Sequence, residues 1–288
     1  MRAERRPSTF IHLADHDHRK HIDIPILSTA GVTVGCDLVG TVVALGPKVT
    51  KDYKVGDRIA GVCHGSNLTQ PEDGAFGEYS VVKEGLTFKV PEQMSDEQAA
   101  TVGVAVTTIA SGLYDKLGMP MPGSQKTGEG HWLLVYGGST AMGSLAIQSA
   151  VLCVTDFVRW LAIAGKLTIL TDRDTKSSLL AVRATSTYAR HLDMIFSLNA
   201  DNPSSQFVKS LGAGAAFDYN DSDCSKKVNE HTGDQLSLVF DCIAEGDSTK
   251  ICTAALSSNG GKIAALLPVS QENSRTNVTH EVCSHPCI

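Results

Sequence analysis

The chain has 288 residues and a formal net charge of −6, with 42% hydrophobic and 19% charged residues. This composition is typical of a globular protein with room for one large domain or two modest ones. The acidic balance gives no reason to expect nucleic acid or an anionic membrane as a partner. No apolar run approaches the roughly 20 residues that span a bilayer, and the basic N-terminus lacks the apolar core of a signal peptide. A cytoplasmic location is therefore expected.

Eight cysteines are scattered along the chain without close C-x-x-C pairs. This spacing argues against structural zinc and against a redox dithiol, so most of the cysteines are expected to be small buried hydrophobes. Cys283 and Cys287 flank His285 in a polar tail that we interpret as an unstructured end. The histidines near the N-terminus have no supporting cysteine or carboxylate framework. No metal site is predicted.

The first part of the chain predicts a small antiparallel domain. Residues 1–34 are polar and are expected to form a divergent, poorly ordered segment. Three β-branched stretches then follow, at residues 36–46, 55–61 and 74–82, with turns rich in glycine and aspartate between them. Short strands at this spacing are typical of a β-barrel. Next, Ser95 fits an N-cap and Gln98 completes a capping box, which predicts a helix that stops near Gly118.

A glycine-rich turn is the most informative feature of the second part. Residues 133–136 form an apolar run, residues 137–143 are small, and residues 144–151 continue as an amphipathic helix. Glycines at such a strand-to-helix turn let the backbone approach a phosphate, which the helix N-terminus favours. The spacing is not G-x-G-x-x-G, so an ordinary tight turn remains the alternative. Apolar strands at residues 214–219, 236–242 and 261–267 alternate with helical stretches, as in a doubly wound parallel sheet.

These motifs together resemble zinc-free medium-chain dehydrogenase/reductases, and most closely the stand-alone enoyl reductases that act in trans with fungal polyketide synthases. The resemblance lies in residues 35–42, 55–58, 74–79, 136–141, 207–213, 217–219 and 241–243. It implies an α/β fold with an incomplete GroES-like β-barrel domain and a Rossmann-type domain. The expected domains are residues 35–118 (barrel and linking helix) and residues 119–268 (cofactor binding, with an atypical insertion at about 153–206), followed by a polar tail at residues 269–288.

The resemblance excludes the zinc branch of the superfamily. Cys36 and Asp37 stand where zinc alcohol dehydrogenases carry His-Glu, and a four-cysteine lobe is missing from the sequence. Without three protein ligands there is no Lewis acid to polarise a carbonyl group. The zinc-free members reduce activated double bonds with a hydride from NADPH, so the cofactor supplies the chemistry and the protein supplies orientation. No catalytic residue is assigned.

The resemblance also implies which residues contact the ligands. The glycine-rich loop that would cradle the cofactor pyrophosphate comprises Gly137, Gly138, Ser139, Thr140, Ala141 and Met142. Tyr219 matches a tyrosine at the adenosine end, or alternatively covers the sheet. Leu266 and Leu267 fall beside the nicotinamide ring, or belong to the core. The helix that would border the acyl substrate comprises Val106, Thr107, Thr108, Ile109, Ala110, Ser111, Gly112 and Leu113, although periodicity alone predicts a core helix there.

Three segments depart from the family pattern. Residues 1–34 do not resemble its opening segment, the chain after Pro268 is unrelated, and residues 153–206 are too long by several tens of residues. Within the long stretch, residues 166–173 could serve as a replacement second strand, with Arg173 near the adenosine phosphate or simply solvated. Alternatively, residues 202–205 keep a remnant of the family's Ser-rich turn, which grips the 2′-phosphate of NADPH. The choice of NADPH over NADH therefore rests on resemblance.

Two functional hypotheses follow. The first is an NADPH-dependent enoyl reductase acting on a carrier-bound, α,β-unsaturated polyketide thioester, with a polyketide synthase as partner, including a hybrid with a peptide synthetase. The second is a truncated, catalytically inactive relic that retains at most nucleotide or synthase binding.

Overall fold

The computed structural model describes residues 2–5, 31–122, 132–154, 194–198, 202–268 and 275–283. The chain divides into two units, which we call the antiparallel unit (mainly Met1–Thr107) and the parallel unit (mainly Thr108–Asp172 and Leu179–Ser284). The division falls between Thr107 and Thr108, inside a helix, and the second half of that helix packs with the parallel sheet. The domain boundary after residue 118 stays a prediction.

The antiparallel unit is built on a five-stranded sheet with the order β4-β1-β2-β3-β5. Its strands are β1 (Arg2–Arg5), β2 (Asp37–Ala44), β3 (Arg58–Val62), β4 (Tyr79–Val81) and β5 (Thr87–Lys89). Alternate residues of β2 face two hydrophobic clusters, because successive side chains of a strand point to opposite faces. Leu38 and Val42 face one cluster, while Val39 faces the other. Three of these strands, β2 to β4, match the predicted stretches.

The N-terminal strand differs from the sequence-based expectation for residues 1–34. Arg2–Arg5 lies between β2 and β4 and pairs antiparallel with both. Strand pairing uses main-chain N–H and C=O groups, so a polar segment can join a sheet without contributing a core side chain. Residues 6–30, with the N-terminal histidines, lie outside the described part of the chain.

The helices after the barrel strands begin as predicted but are interrupted. Ser95 caps α1 (Asp96–Ala99): its Oγ accepts from Gln98 N at 3.3 Å, and Gln98 Oε1 accepts from Ser95 N at 3.0 Å. This confirms the capping box. Instead of one continuous helix, α2 (Gly103–Ile109) follows and continues into a π-helical segment (Ala110–Lys116). Such segments are frequent at functional sites.

The parallel unit contains a six-stranded sheet with the order β11-β10-β9-β6-β7-β8, in which all neighbours are parallel. Its strands are β6 (Trp132–Tyr136), β7 (Met194–Leu198), β8 (Ala215–Asp218), β9 (Leu236–Asp241), β10 (Gly261–Ala265) and β11 (Val278–Val282). Its helices are α3 (Ala141–Val154), α4 (Asn202–Ser210), α5 (Cys224–Thr232) and α6 (Ser248–Ala255). The chain moves from β6 outward to β8, then returns to β9 on the other side of β6. This is the predicted doubly wound sheet.

Two strands of this sheet bear on sequence-based expectations. The sequence left open whether residues 166–173 form the strand beside β6; Met194–Leu198 occupies that place, and α4 follows it at Asn202. Residues 166–173 themselves lie outside the described chain. At the opposite edge, Val278–Val282 pairs parallel with β10, so this part of the tail is not an unstructured end.

Arg275 explains how the tail is held. Its guanidinium donates to four main-chain carbonyl oxygens at the end of α6, those of Thr253 (3.3 Å), Leu256 (3.2 Å), Ser257 (2.8 Å) and Ser258 (3.1 Å). A helix C-terminus leaves carbonyl groups unpaired, and a cation satisfies both their hydrogen bonds and the helix dipole. The sequence did not show this contact, because its partners lie about 20 residues earlier.

The seven described cysteines are buried, as predicted for most of the eight, and none of these seven forms a disulfide. Cys283 is among them, contrary to its expected place in an unstructured end, and burial raises its thiol pKa to about 12. Among the described helices, none is long and apolar enough to cross a membrane.

Candidate functional site

The glycine-rich turn joins β6 to α3 in a compact geometry. Gly137 has a φ of +78°, which favours glycine. Its carbonyl oxygen accepts from Thr140 N at 3.0 Å and from Thr140 Oγ1 at 2.7 Å. Thr140 Oγ1 in turn accepts from Gly143 N at 3.0 Å, so Thr140 caps the helix. The turn is therefore fixed by local contacts of its own residues.

Close packing of the helix against the turn requires small residues. A Cβ on Gly143 would overlap the Gly137 carbonyl oxygen and lie 2.7 Å from Gly138 Cα. Ser139 and Ala141 are exposed at the start of the helix, while Met142 is buried beneath them. A bare backbone in front of a helix N-terminus fits an anionic phosphate. The residues present therefore fit the pyrophosphate of a dinucleotide.

The carboxyl ends of three neighbouring strands meet at this turn. The strand register places Tyr136, Asp241 and Ala265 side by side. Cys242 N donates to the Tyr136 carbonyl oxygen at 3.0 Å, and Leu266 N donates to the Asp241 carbonyl oxygen at 3.2 Å. Because the chain leaves β6 in one direction and returns in the other, the gap between β6 and β9 is the switch point where doubly wound sheets bind ligands.

Asp241 is a buried carboxylate at this switch point. Its Oδ1 accepts from Ile243 N at 3.0 Å and from Ala244 N at 2.9 Å, and its Oδ2 accepts from Ser248 Oγ at 2.8 Å. Burial raises the pKa of Asp241, although these three hydrogen bonds act in the opposite direction. The sequence reasoning used Asp241 for the resemblance but assigned it no role. The sequence signal that could have identified it is an aspartate at the end of an apolar strand.

Tyr219 lies at the carboxyl end of β8. Its ring is 5.7 Å from that of Tyr136, centroid to centroid, at an interplanar angle of 37°. It is half-buried and packs on the core cluster that includes Leu236 and Val239. Burial also raises the pKa of Tyr136. This packing agrees with the interpretation of Tyr219 as a cover for the sheet, and a contact with adenosine stays a prediction.

Leu266 and Leu267 directly follow β10 at the same edge of the sheet as the glycine-rich turn. Leu266 is half-buried and Leu267 is 37% exposed, so neither is plain core. Their contact with a nicotinamide ring stays a prediction.

The predicted substrate helix is divided between the two units. Val106 and Thr107 fall in the antiparallel unit, and the residues from Thr108 onward fall in the parallel unit. Thr108, Ile109, Gly112 and Leu113 are buried, and a Cβ on Gly112 would overlap the Phe240 ring. These four residues thus pack as a core helix. Val106 is 53% exposed, and Ala110 and Ser111 are half-buried, so substrate contact stays a prediction for this helix.

Asp37 is a second buried carboxylate to which sequence reasoning gave no structural role. It is 1% exposed, and its Oδ1 accepts from Val104 N at 2.7 Å. A Cβ on Gly103 would lie 2.7 Å from this oxygen. Asp37 therefore anchors the first turn of α2. The signal that could have found it is a lone acidic residue inside an apolar strand.

Metal coordination has no candidate within the described ranges: there, no three histidine, cysteine or acidic side chains are grouped so that they could hold an ion. Cys36 and Asp37 are buried within the antiparallel unit.

Comparison with solved structures identifies the class of fold. The Escherichia coli quinone oxidoreductase, solved as a complex with NADPH, superposes with a TM-score of 0.64 at 17% identity, covering 98% of this chain and 71% of that one. The family model of the alcohol dehydrogenase GroES-like domain matches residues 9–92. That match begins inside residues 1–34, which corrects the expectation that this segment is unlike the family.

Curated relatives define the family more closely. The chain is 34% identical over 253 residues to the trans-enoyl reductase TOXD of Cochliobolus carbonum, covering 88% of this chain and 71% of that protein. It is also 34% identical over 270 residues to the trans-enoyl reductase iccB of Talaromyces variabilis, covering 88% of this chain and 62% of that protein. The chain therefore belongs to the trans-enoyl reductase family of the medium-chain dehydrogenase/reductases. It spans about two thirds of the length of these relatives.

Proposed function

We propose that the chain is an NADPH-dependent trans-enoyl reductase that reduces the double bond of a carrier-bound, α,β-unsaturated polyketide thioester. The observation that carries this proposal is the glycine-rich turn at the switch point of a doubly wound sheet, in a chain 34% identical to trans-enoyl reductases. When bound, the reduced nicotinamide would supply a hydride to the β-carbon, and a proton would reach the α-carbon.

The residues of the chain bind and orient rather than react. Gly137, Gly138 and the start of α3 would hold the pyrophosphate, because a bare backbone and the N–H groups of a helix N-terminus attract negative charge. Leu266 and Leu267 would lie beside the nicotinamide ring. Holding two reactants in one geometry lowers the barrier even where no side chain takes part in the chemistry.

A preference for NADPH over NADH is part of the proposal. Residues 202–205 form the first turn of α4, directly after the second strand in the doubly wound order. This is where the family places its Ser-rich turn for the 2′-phosphate. The solved complex of the E. coli quinone oxidoreductase with NADPH lends support to the same preference.

A polyketide synthase, including a hybrid with a peptide synthetase, is the proposed partner, and the proposed location is the cytoplasm. The relatives are named as acting in trans, which supports a separate protein as the owner of the carrier-bound chain.

Two measurements test the proposal. A fluorescence titration of the purified chain with NADPH, and in parallel with NADH, is expected to show binding that prefers NADPH. Thioester-dependent oxidation of NADPH, measured with a 2-enoyl pantetheine thioester, is then expected to follow. A folded sample that binds neither nucleotide would overturn the proposal.

A second candidate is a family member that binds nucleotide without catalysing reduction. NADPH binding without thioester-dependent oxidation, tested with enoyl chains of several lengths, would favour this candidate over the enzyme.

A further inference from the structure

The loop between β9 and α6 is held by one buried side chain. Asp241 is 0% exposed and binds three groups ahead of it in the chain: the backbone N–H groups of Ile243 and Ala244, and the hydroxyl of Ser248. Hydrogen bonds to a charged acceptor are stronger than those between neutral groups. A single carboxylate therefore sets the path of the chain from the end of the strand to the start of the helix.

This loop has a backbone that needs such support. Ala244 has a φ of +54°, a left-handed conformation that a residue with a Cβ rarely adopts. Its N–H is one of the groups that Asp241 binds, so the side-chain acceptor compensates for the strain at Ala244. Sparsely populated backbone conformations cluster at ligand-binding sites, where the surrounding contacts keep them in place.

The supported loop faces the glycine-rich turn. A Cβ on Gly137 would meet two side-chain atoms of Ile243 at 3.0 Å, so Ile243 lies directly against the turn. Asp241 also accepts Leu266 N through its main-chain carbonyl oxygen. In a doubly wound sheet the two halves of a dinucleotide lie on either side of the switch point. Ile243 and Leu266 are on the β9–β10 side, while Tyr219 is on the β8 side.

We propose that Asp241 is a positioning residue of the cofactor site, which holds Ile243 as an apolar wall for the nicotinamide half of the dinucleotide. This inference rests on the proposed function. Asp241 does not touch the reacting atoms: it acts through the backbone N–H groups of Ile243 and Ala244. The adenosine half, on the β8 side, is independent of it.

The test separates the two halves of the cofactor. Asp241→Ala is expected to weaken NADPH binding at least about tenfold, since small displacements of a supporting residue misplace the bound ligand, while binding of 2′,5′-ADP stays within about twofold. Asp241→Asn keeps an oxygen for both N–H groups, so it is expected to recover most of the NADPH affinity. Binding is measured by fluorescence and calorimetric titration, with circular dichroism to verify folding.

Asp234 provides a matched control at the other end of β9. Its carboxylate accepts from Asn229 Nδ2 and from both the N–H and the hydroxyl of Ser258, so it is a comparable structural aspartate away from the switch point. Asp234→Asn is expected to leave the affinities for both probes unchanged, whatever it does to the melting temperature. If Asp241→Ala does not fold, Ser248→Ala decides the question with the same two probes: loss of the hydroxyl that donates to Asp241 Oδ2 is expected to weaken NADPH binding and to leave 2′,5′-ADP binding unchanged.

The outcomes distinguish this inference from the proposed function. A folded wild-type chain that binds neither NADPH nor 2′,5′-ADP would overturn both the proposed function and the positioning role of Asp241. If the wild type binds NADPH and folded Asp241→Ala, or Ser248→Ala in its place, binds it equally well, the positioning role alone is wrong. Equal losses for NADPH and 2′,5′-ADP would also overturn it, because they would indicate general disruption of the sheet.

Discussion

Each of the two units has a buried aspartate that anchors a helix or a loop. The two aspartates differ in the sequence separation between the carboxylate and the groups that it binds. In the parallel unit, Asp241 binds groups two, three and seven residues ahead. In the antiparallel unit, Asp37 binds Val104 N, which is 67 residues away. The parallel unit therefore builds its candidate site from local segments. The antiparallel unit holds its helix through a contact that depends on the assembled sheet.

Gly143→Ala is expected to have the largest effect, and it tests the local site. The added Cβ would overlap the Gly137 carbonyl oxygen, forcing α3 away from the turn. Overpacking of this kind costs roughly 1–3 kcal/mol, and misplacement of the turn is expected to weaken NADPH binding on the order of 100-fold. Urea unfolding and NADPH titration measure the two effects. Gly85→Ala is the control, since a Cβ there meets nothing within 4 Å. Unchanged NADPH affinity in Gly143→Ala would refute the local interpretation of the site.

Asp37→Ala tests the long-range anchor. Val104 N would lose the buried acceptor at 2.7 Å, and an unsatisfied buried N–H costs about 1–3 kcal/mol. The melting temperature is expected to fall, while 2′,5′-ADP binding, a property of the parallel unit, stays unchanged. Asp37→Asn keeps an oxygen and is expected to recover part of the loss. A loss of 2′,5′-ADP binding in folded Asp37→Ala would break the comparison, because the anchor would then not be confined to its own unit.

The same difference explains what the sequence could predict. The glycine-rich turn, the capping box of Ser95 and Gln98, and the apolar strands are local patterns, and each was found in place. The strands at Arg2–Arg5 and Val278–Val282 were missed, because their sequences are polar and their partners are distant. No local pattern distinguishes a polar segment that pairs with a sheet from one that stays in solvent.

The candidate site was predictable to a similar extent. Residues 137–142 were located by their own sequence, and the structure puts them at the switch point. For the predicted substrate helix, the sequence did not decide between a core helix and a helix that borders the substrate. Its residues alternate between core and surface at a spacing that fits both interpretations. The supporting contacts of Asp37 and Asp241 needed three-dimensional information, since a carboxylate in a strand does not reveal which N–H groups it accepts from.

The pH dependence of stability tests whether Asp241 is buried as a titrating group in the folded parallel unit. Burial raises the pKa of this carboxyl above its unfolded value of 3.8, so the folded state binds the proton more tightly than the unfolded state. The resulting stabilisation is fully present below the unfolded pKa and is lost as pH rises through the folded pKa. Relative to Asp241→Asn, which does not titrate, the wild type is expected to lose stability over that interval. Urea unfolding of both proteins from acidic to neutral pH measures the difference, and parallel curves would contradict the prediction.

Removal of a helix cap is expected to have the smallest effect on stability, and each unit has one such cap to compare. Ser95 caps α1, a four-residue helix of the antiparallel unit, and Thr140 caps α3, a 14-residue helix that begins at the glycine-rich turn. Removal of a side-chain cap costs about 0.5–2 kcal/mol, so Ser95→Ala and Thr140→Ala are both expected to lower stability modestly in urea unfolding. Only Thr140→Ala is expected to weaken NADPH binding, because Thr140 Oγ1 also binds the Gly137 carbonyl oxygen and so shapes the turn. Thr140→Ser retains this hydroxyl and is expected to keep near-native affinity. If Thr140→Ala left NADPH affinity unchanged, the Thr140 side chain would not be needed to shape the turn, and its cap would contribute only to the stability of the helix.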